Sequence, residues 1–397
     1  MQIVKSTMNN KNIWFSLFLV LFLFSCKKDE TLEPLVTSDD AFMKTYGGDQ
    51  DDFATSIVVE NNELFVFGTT KSFLDANGDH YLLKLDLNGN VLFEKTYGGG
   101  GAEVGGKILV TKDGNFMLIG STTSSGKGGR DVHVLKIDRS GILIWEKTFG
   151  GPLDDFPSSI IETSSSEFCI AASTSSFGKG SLDIYLIWIS QNGDLIRELT
   201  FGGTDLDGSA DLLEIENQEI MLYAYTRNFG AVGRDLYLMK LSSIADSLWS
   251  KRYGGAGYEE SQQILRTSTG GYLMVGHTSS TDPVHNIYAL EVDKNGDEIW
   301  SKEFGGTKHD GGQAVLINAE ANYVFVAKSI SFGSGERNIF MVTTNTSGQI
   351  LKKEEIGEAG NDLAQDIKEC GEYYFLVGES NSFGNGDNDV FVVKHKR

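Results

Sequence analysis

Six residues after the aromatic of an aromatic-glycine-glycine triplet, this chain repeatedly sets a carboxylate: Asp52, Glu103, Asp155, Asp207, Glu259, Asp310 and Asp362. The first triplet is Tyr46-Gly47-Gly48, and the last has decayed to Ile356-Gly357-Glu358. A second recurrent polar position holds Asp79, Asp131, Asp183, Asp235, Asn286, Asn338 and Asp389. Carboxylates beside glycine-rich turns can do three things. They can ligate hard cations, form an acidic ring that captures a basic partner, or accept hydrogen bonds from the amides of the turn itself. A role repeated in every copy points to architecture, because one active site does not need seven sets of residues. Asp75-Ala76-Asn77-Gly78-Asp79 has the opening of a calcium loop but lacks its later bidentate glutamate. No cofactor is expected, and calcium is the alternative left open.

Other chemistry is sparse. No C-x-x-C or H-E-x-x-H spacing occurs, and no Ser-His-Asp or paired-carboxylate arrangement can be assembled from sequence. Besides Cys26 there are only Cys169, in an apolar run, and Cys370, near a turn. One disulfide is possible, but a cysteine framework is excluded. Glycine pairs that cradle phosphate lead into a helix N-terminus; those here lead from one extended run into another.

The elements that position these residues repeat. The aromatic positions Tyr46, Tyr97, Phe149, Phe201, Tyr253, Phe304 and Ile356 are spaced by 51, 52, 52, 52, 51 and 52 residues. Each unit holds four apolar or alternating runs. In the third copy these are SSIIETS, EFCIAAST, DIYLIWIS and DLIRELTF. Asn88-Gly89, Ser140-Gly141, Asn192-Gly193, Asn295-Gly296 and Ser347-Gly348 separate the third run from the fourth, so those strands pair as hairpins. No run has a sustained helical period.

The expected fold is all-β: a seven-bladed β-propeller of four-stranded antiparallel blades spanning residues 41–397. The chain opens with AFMKTY, a fourth-type strand without a unit, and ends with DVFVVKH, a third-type strand lacking a fourth. The N-terminal strand should complete the last blade and remove the free sheet edge. A solenoid would need no such complementary ends.

The motifs TSTGGYLMVGHTSS, STSSFGKGSLDIYLIWI, DVHVLKIDRSGILIWEKTFGG and SNSFGNGDNDVFVVK resemble a bacterial and archaeal repeat family related to WD40-like and quinoprotein-like propellers. The resemblance covers residues 41–397 and implies the fold. It implies no particular chemistry, since such propellers serve many. Blade number and the absence of a tryptophan docking pattern set the chain apart from quinoprotein dehydrogenases, so their cofactor is not carried over.

Within a blade, strand direction alternates. The loop from the fourth strand into the next blade and the loop from second to third strand therefore open on one face, the expected ligand face. Trp145, Trp249 and Trp300 recur four residues before the aromatic, where outer-strand packing explains them. Function should show where copies differ. Ten residues past the aromatic, on the strand expected to be innermost, stand Ser56, Lys107, Ser159, Asp211, Gln263, Ala314 and Asp366. Lys107, Asp211, Gln263 and Asp366 facing one axis make either a polar channel site or a solvated wall. His309, beside Asp310, and His277 are the histidines near the looped face with polar company.

The N-terminus reads as a targeting segment. Lys5 and Lys11 precede an apolar run, residues 13–24, that is too short to span a bilayer. Leu23-Phe24-Ser25-Cys26 resembles a bacterial lipobox. That resemblance implies a signal peptide over 1–25, cleavage before Cys26, and a diacylglycerol on its sulfur. Several acyl chains anchor firmly where one is marginal. Residues 26–40 read as a flexible tether, and their start resembles the export signals of surface-exposed outer-membrane lipoproteins. The whole chain has 34 basic and 55 acidic residues, a net charge of −21. Without residues 1–25, which hold two lysines and no acid, the charge is about −23. Such a chain repels nucleic acid.

The expected protein is a lipid-anchored, monomeric propeller that binds or scaffolds a protein or glycan partner and is not primarily an enzyme. A glycan hydrolase or lyase working at the channel mouth, and a purely structural envelope protein, are the alternatives.

Overall fold

The computed structural model describes residues 40–73, 77–281 and 284–397; the lipobox, the tether up to residue 39 and Asp75 of the calcium-like loop lie outside them. Seven four-stranded antiparallel sheets are present. Strand β1 (Phe42–Tyr46) precedes blade 1, which comprises β2 (Asp52–Glu60), β3 (Glu63–Thr70), β4 (Asp79–Asp86) and β5 (Val91–Tyr97). Blades 2 to 6 follow as β6–β9 (103–149), β10–β13 (155–201), β14–β17 (207–253), β18–β21 (259–304) and β22–β25 (310–356). Blade 7 is β26 (Asp362–Cys370), β27 (Tyr373–Ser380), β28 (Asp389–Lys396) and, as its outer strand, β1. The closing register runs from Phe42 opposite Lys394 to Tyr46 opposite Val390. The seven-bladed propeller with an N-terminal closing strand is thus the observed fold.

The second and third strands carry apolar side chains on both faces because both faces are covered by neighbouring blades. β7 (Phe116–Thr122) and β12 (Asp183–Ile189) are buried along their whole length. Between blades 2 and 3, Met117, Ile119, Val132 and Val134 pack on Ile160, Phe168, Ile170 and Tyr185. The core is therefore a set of inter-blade layers. The outer strand is wet at its start and anchored later: Trp145 donates its indole N–H to Gln191 O of the next blade at 3.2 Å. Trp300 does the same to Thr346 O at 3.2 Å. Tyr46 and Tyr97 reach Gly89 O and Gly141 O at 2.7 Å. The hairpin glycines there have positive φ, 74° at Gly89 and 73° at Gly141, so a side chain would be strained and would strike the aromatic neighbour.

Every first strand carries a bulge at the same place, between Ala54 and Ser56 in blade 1 and between Ala364 and Asp366 in blade 7. The residue after each bulge belongs to the series Ser56, Lys107, Ser159, Asp211, Gln263, Ala314, Asp366. Cys169 and Cys370 are both free. Burial pushes the Cys169 thiol far up, so it is inert.

β1 contributes Phe42, Met43 and Tyr46 to the packing around blade 7. Deleting residues 1–46 should cost about 3 kcal/mol or more and expose the β28 edge, giving concentration-dependent association in sedimentation. Deleting only 1–39 should leave the unfolding midpoint unchanged.

Candidate binding site on the looped face

The junction between consecutive blades is built identically around the ring. The backbone N–H of each first-strand acid donates to the carbonyl just before the third strand of the preceding blade. Glu103 N meets Gly78 O at 2.8 Å, Asp155 N meets Arg130 O at 2.7 Å, and Asp310 N meets His285 O at 2.7 Å. Its carboxylate accepts from the amide four residues earlier: Gly48 N to Asp52 at 2.8 Å, Gly151 N to Asp155 at 2.8 Å, Gly306 N to Asp310 at 2.7 Å. Gly99, Gly203, Gly255 and Glu358 donate likewise to Glu103, Asp207, Glu259 and Asp362. A hydroxyl from the same blade fills another lone pair, as with Thr122 on Glu103 at 2.6 Å and Ser72 on Asp52 at 2.7 Å. All seven acids are buried, and the donors make that burial affordable.

The second acidic series faces the first across a glycine. A Cβ on Gly150 (φ 151°) would fall 2.2 Å from Asp131 Oδ1 and 2.5 Å from Asp155 Oδ2. Lys127 N and Gly128 N donate to Asp131 Oδ2 at 2.8 and 3.4 Å. Burial, with the negative charge of Asp155, nevertheless raises the Asp131 pKa above the ordinary carboxylate value. The same holds for Asp207 facing Asp183, and for Asp389 facing Asp52. No group of three or more metal-type side chains that could hold an ion occurs among the described residues.

The innermost-strand residues singled out from sequence tie neighbouring blades together. Asp366 accepts from Ser56 Oγ and Ile57 N of blade 1, both at 3.1 Å. Asp211 accepts from Ser159 Oγ of blade 3 at 2.6 Å and Ile264 N of blade 5 at 3.1 Å. Gln263 accepts from Val315 N of blade 6 at 2.8 Å. Burial raises the Asp211 pKa while Lys107 opposes it; burial also works on Asp366, but Lys368 and Lys107 hold it below the ordinary value. Lys107, Asp211 and Asp366 therefore share one electrostatic enclosure, in which the carboxylates already serve the strands. His309 lies elsewhere.

His309 belongs to a cavity of about 310 Å³ on the looped face between blades 5 and 6. His277, His285, Asp310, Lys328 and Arg337 line it as well. The His277 and His285 rings stack at 5.2 Å, and His285 meets His309 edge-on at 5.2 Å. His285 N donates to His309 Nδ1 at 3.0 Å, which leaves Nε2 as the protonated nitrogen of the neutral ring. His277 Nε2 is 2.8 Å from Glu260 Oε2, and this hydrogen bond is the main cause that pulls Glu260 down to about 2. Arg234 also pairs with Glu260, and its guanidinium sits 4.6 Å from the Tyr225 ring centre. Burial, then the charges of His277 and His309, push the His285 pKa below its ordinary value.

Sequence alone points to His277 and His309 but not to Glu260, His285, Lys328 or Arg337. The signal is present in the repeat. The next-to-last residue of the second strand is Thr69, Ser121 and Ser173 in blades 1 to 3, then Tyr225, His277, Lys328 and Glu379 in blades 4 to 7. It lies 24 residues past the aromatic in blades 2 to 6 and 23 in blades 1 and 7. The residue before the third strand adds Arg234, His285 and Arg337 on the same arc.

Asp131→Asn tests the facing carboxylates, with Asn286 and Asn338 as natural precedents. A raised folded-state pKa gives stability that is present at low pH and lost as pH rises through that pKa. The variant lacks this loss. In thermal unfolding it should therefore gain on the parent as pH climbs above the ordinary aspartate value of about 4, and show no such gain below it.

Comparison with known proteins gives the fold alone. No protein-family model matches the chain, and no curated protein matches it. A solved ulvan lyase, from a new polysaccharide lyase family, superposes with a TM-score of 0.59 at 10% identity, over 89% of this chain and 96% of that one. The Neurospora crassa Pan2 WD40 domain gives 0.53 at 14% identity over 92% and 98%. Drosophila Semaphorin 1b, extracellular domains 1-2, gives 0.54 at 8% over 90% and 88%. The chain shares the propeller architecture with these proteins.

Proposed function

We propose that this chain is a lipid-anchored outer-membrane protein, exposed at the cell surface, whose monomeric propeller binds a protein or glycan partner through the looped face. The observation that carries the reading is the confinement of divergence. The junction acids and glycine turns recur around the ring, while Tyr225, His277, Lys328 and Glu379 replace small hydroxyl residues on one arc of the looped face. The anchor is compatible with this. Residues 1–39 join the propeller at the start of β1, at the hairpin end, where Tyr373 OH donates to Asp40 at 3.2 Å. A tether attached at the hairpin end leaves the looped face clear of its attachment point. The fold itself serves both kinds of role, since its structural neighbours include polysaccharide lyases and semaphorins.

A glycan-acting enzyme is the second reading. It is favoured by His277 paired with Glu260 at 2.8 Å, with His285 and His309 in the same cavity. That arrangement supplies an imidazole with an orienting carboxylate, the minimum for proton transfer.

Photo-crosslinkers placed at exposed Tyr258 on the looped face and at exposed Leu92 on the outer strand, in the intact cells that make the protein, test the primary reading. Adducts are expected from position 258 and not from position 92. Adducts confined to position 92 would contradict it.

A further inference from the structure

We propose that the cavity between blades 5 and 6 takes the carboxylate or sulfate group of an acidic polysaccharide. The inference rests on the looped-face reading and adds the chemical class of the ligand.

Charge is the first ground. In a chain of net charge −21, several cations pair with carboxylates: Arg234 with Glu260, Lys136 with Asp113, and Arg397 with Glu320 and Glu369. Lys328 and Arg337, both exposed at the cavity, make no side-chain hydrogen bond or ion pair among the described residues. Glu379 feels both of their charges but pairs with neither, and burial raises its pKa. Asp310, the carboxylate that lines the cavity, is already occupied by Gly306 N at 2.7 Å, Ser329 Oγ at 2.5 Å and Ser331 N at 3.2 Å. Two cations thus meet at the cavity with the Glu379 carboxylate near enough to feel them, but with no carboxylate among the described residues paired to either.

The cavity's polar groups are donors as well as charges. His277 is only 5% exposed; with Nε2–H on Glu260, its buried and unpartnered Nδ1 offers a second N–H only in the protonated ring, the form an anion seated there would favour. His309 keeps an N–H on Nε2, the nitrogen opposite the one that accepts from His285 N. Lys328 supplies a point charge, and Arg337 supplies a planar fork that matches the paired oxygens of a carboxylate or sulfate.

A polysaccharide fits better than a nucleic acid or an acidic peptide. Nucleic acid needs a long stripe of phosphate contacts, whereas one cavity with two cations suits a polymer carrying isolated charges. On the same looped face, at the junction of blades 4 and 5, Tyr258 is 46% exposed, and Ser279, two residues after His277, donates its N–H to Tyr258 O at 3.0 Å. The Arg227 guanidinium lies 5.4 Å from the Tyr258 ring centre and donates to its hydroxyl at 3.2 Å, which holds the ring in place. A fixed, half-exposed aromatic one junction along from an anion pocket offers a face for the C–H surface of another sugar of the same polymer.

The test is calorimetric titration of the full lipidated chain in detergent micelles with polygalacturonate, dextran sulfate, neutral dextran and poly-L-glutamate. Polygalacturonate or dextran sulfate should bind, the two arms separating carboxylate from sulfate, and dextran should not. Lys328→Gln/Arg337→Gln, two exposed changes, should weaken that binding at least tenfold, with Lys147→Gln on the outer strand as an unchanged control. Binding equally reduced by the control, absence of binding to both acidic polysaccharides, or equal binding of poly-L-glutamate each overturns the proposal. If it fails while crosslinks still form from position 258, the looped-face reading survives; if those are absent too, both fall.

Discussion

A buried carboxylate that accepts the amide of a glycine turn four residues behind it holds this molecule's geometry. It occurs once per blade junction, and the same residue's own N–H reaches the carbonyl before the preceding blade's third strand. One residue therefore fixes the turn, the neighbour's loop and the start of the innermost strand. Burying a carboxylate is costly unless its oxygens are hydrogen-bonded, which is why each junction also brings a threonine, serine or asparagine. The constraint explains the glycine as well: any Cβ at Gly150 would collide with Asp131 and Asp155.

From that constraint follows a division of labour. Positions bound by the junction cannot vary without loss of the ring, and they recur. The next-to-last residue of the second strand lies just beyond the junction and is free to change. It is small and hydroxylic in blades 1 to 3, where Thr69 accepts from Gly105 N at 2.8 Å and Ser173 from Ser209 N at 3.0 Å. In blades 4 to 6 that structural use gives way to Tyr225, His277 and Lys328, with loss of the inter-blade hydrogen bond. Groups that surrender a structural contact and leave cations unpaired mark a place where something else supplies the partner.

Much of the fold was legible because its signals are local and periodic. The constant spacing, the Asn-Gly hairpins and the complementary terminal strands needed no structure to be read. The site was less legible, for physical reasons. In sequence Asp211 and Asp366 read as either a channel site or a solvated wall; only the three-dimensional register shows Ser159, Ile264, Ser56 and Ile57 already bound to them. Lys328 and Arg337 lie on a strand end and in a loop of one blade, and His277 and Glu260 on two strands of the neighbouring blade. Their convergence depends on how blades 5 and 6 meet, which spacing alone does not encode. The divergence that marks them is nevertheless visible in the repeats, about 24 residues past each aromatic.

The central claim is that the repeated acids hold the ring by accepting protein donors and need no cation, even at Asp155, where Oδ2 takes the donors and Oδ1 is buried without one. Thermal unfolding of the full chain, before and after exhaustive chelation with EDTA and beside Asp155→Ala, tests it most directly. The account predicts an unchanged midpoint on chelation and a loss of about 1 to 3 kcal/mol in the variant, the cost of stranding the Gly151 amide. A midpoint that falls on chelation and is restored by calcium would contradict it.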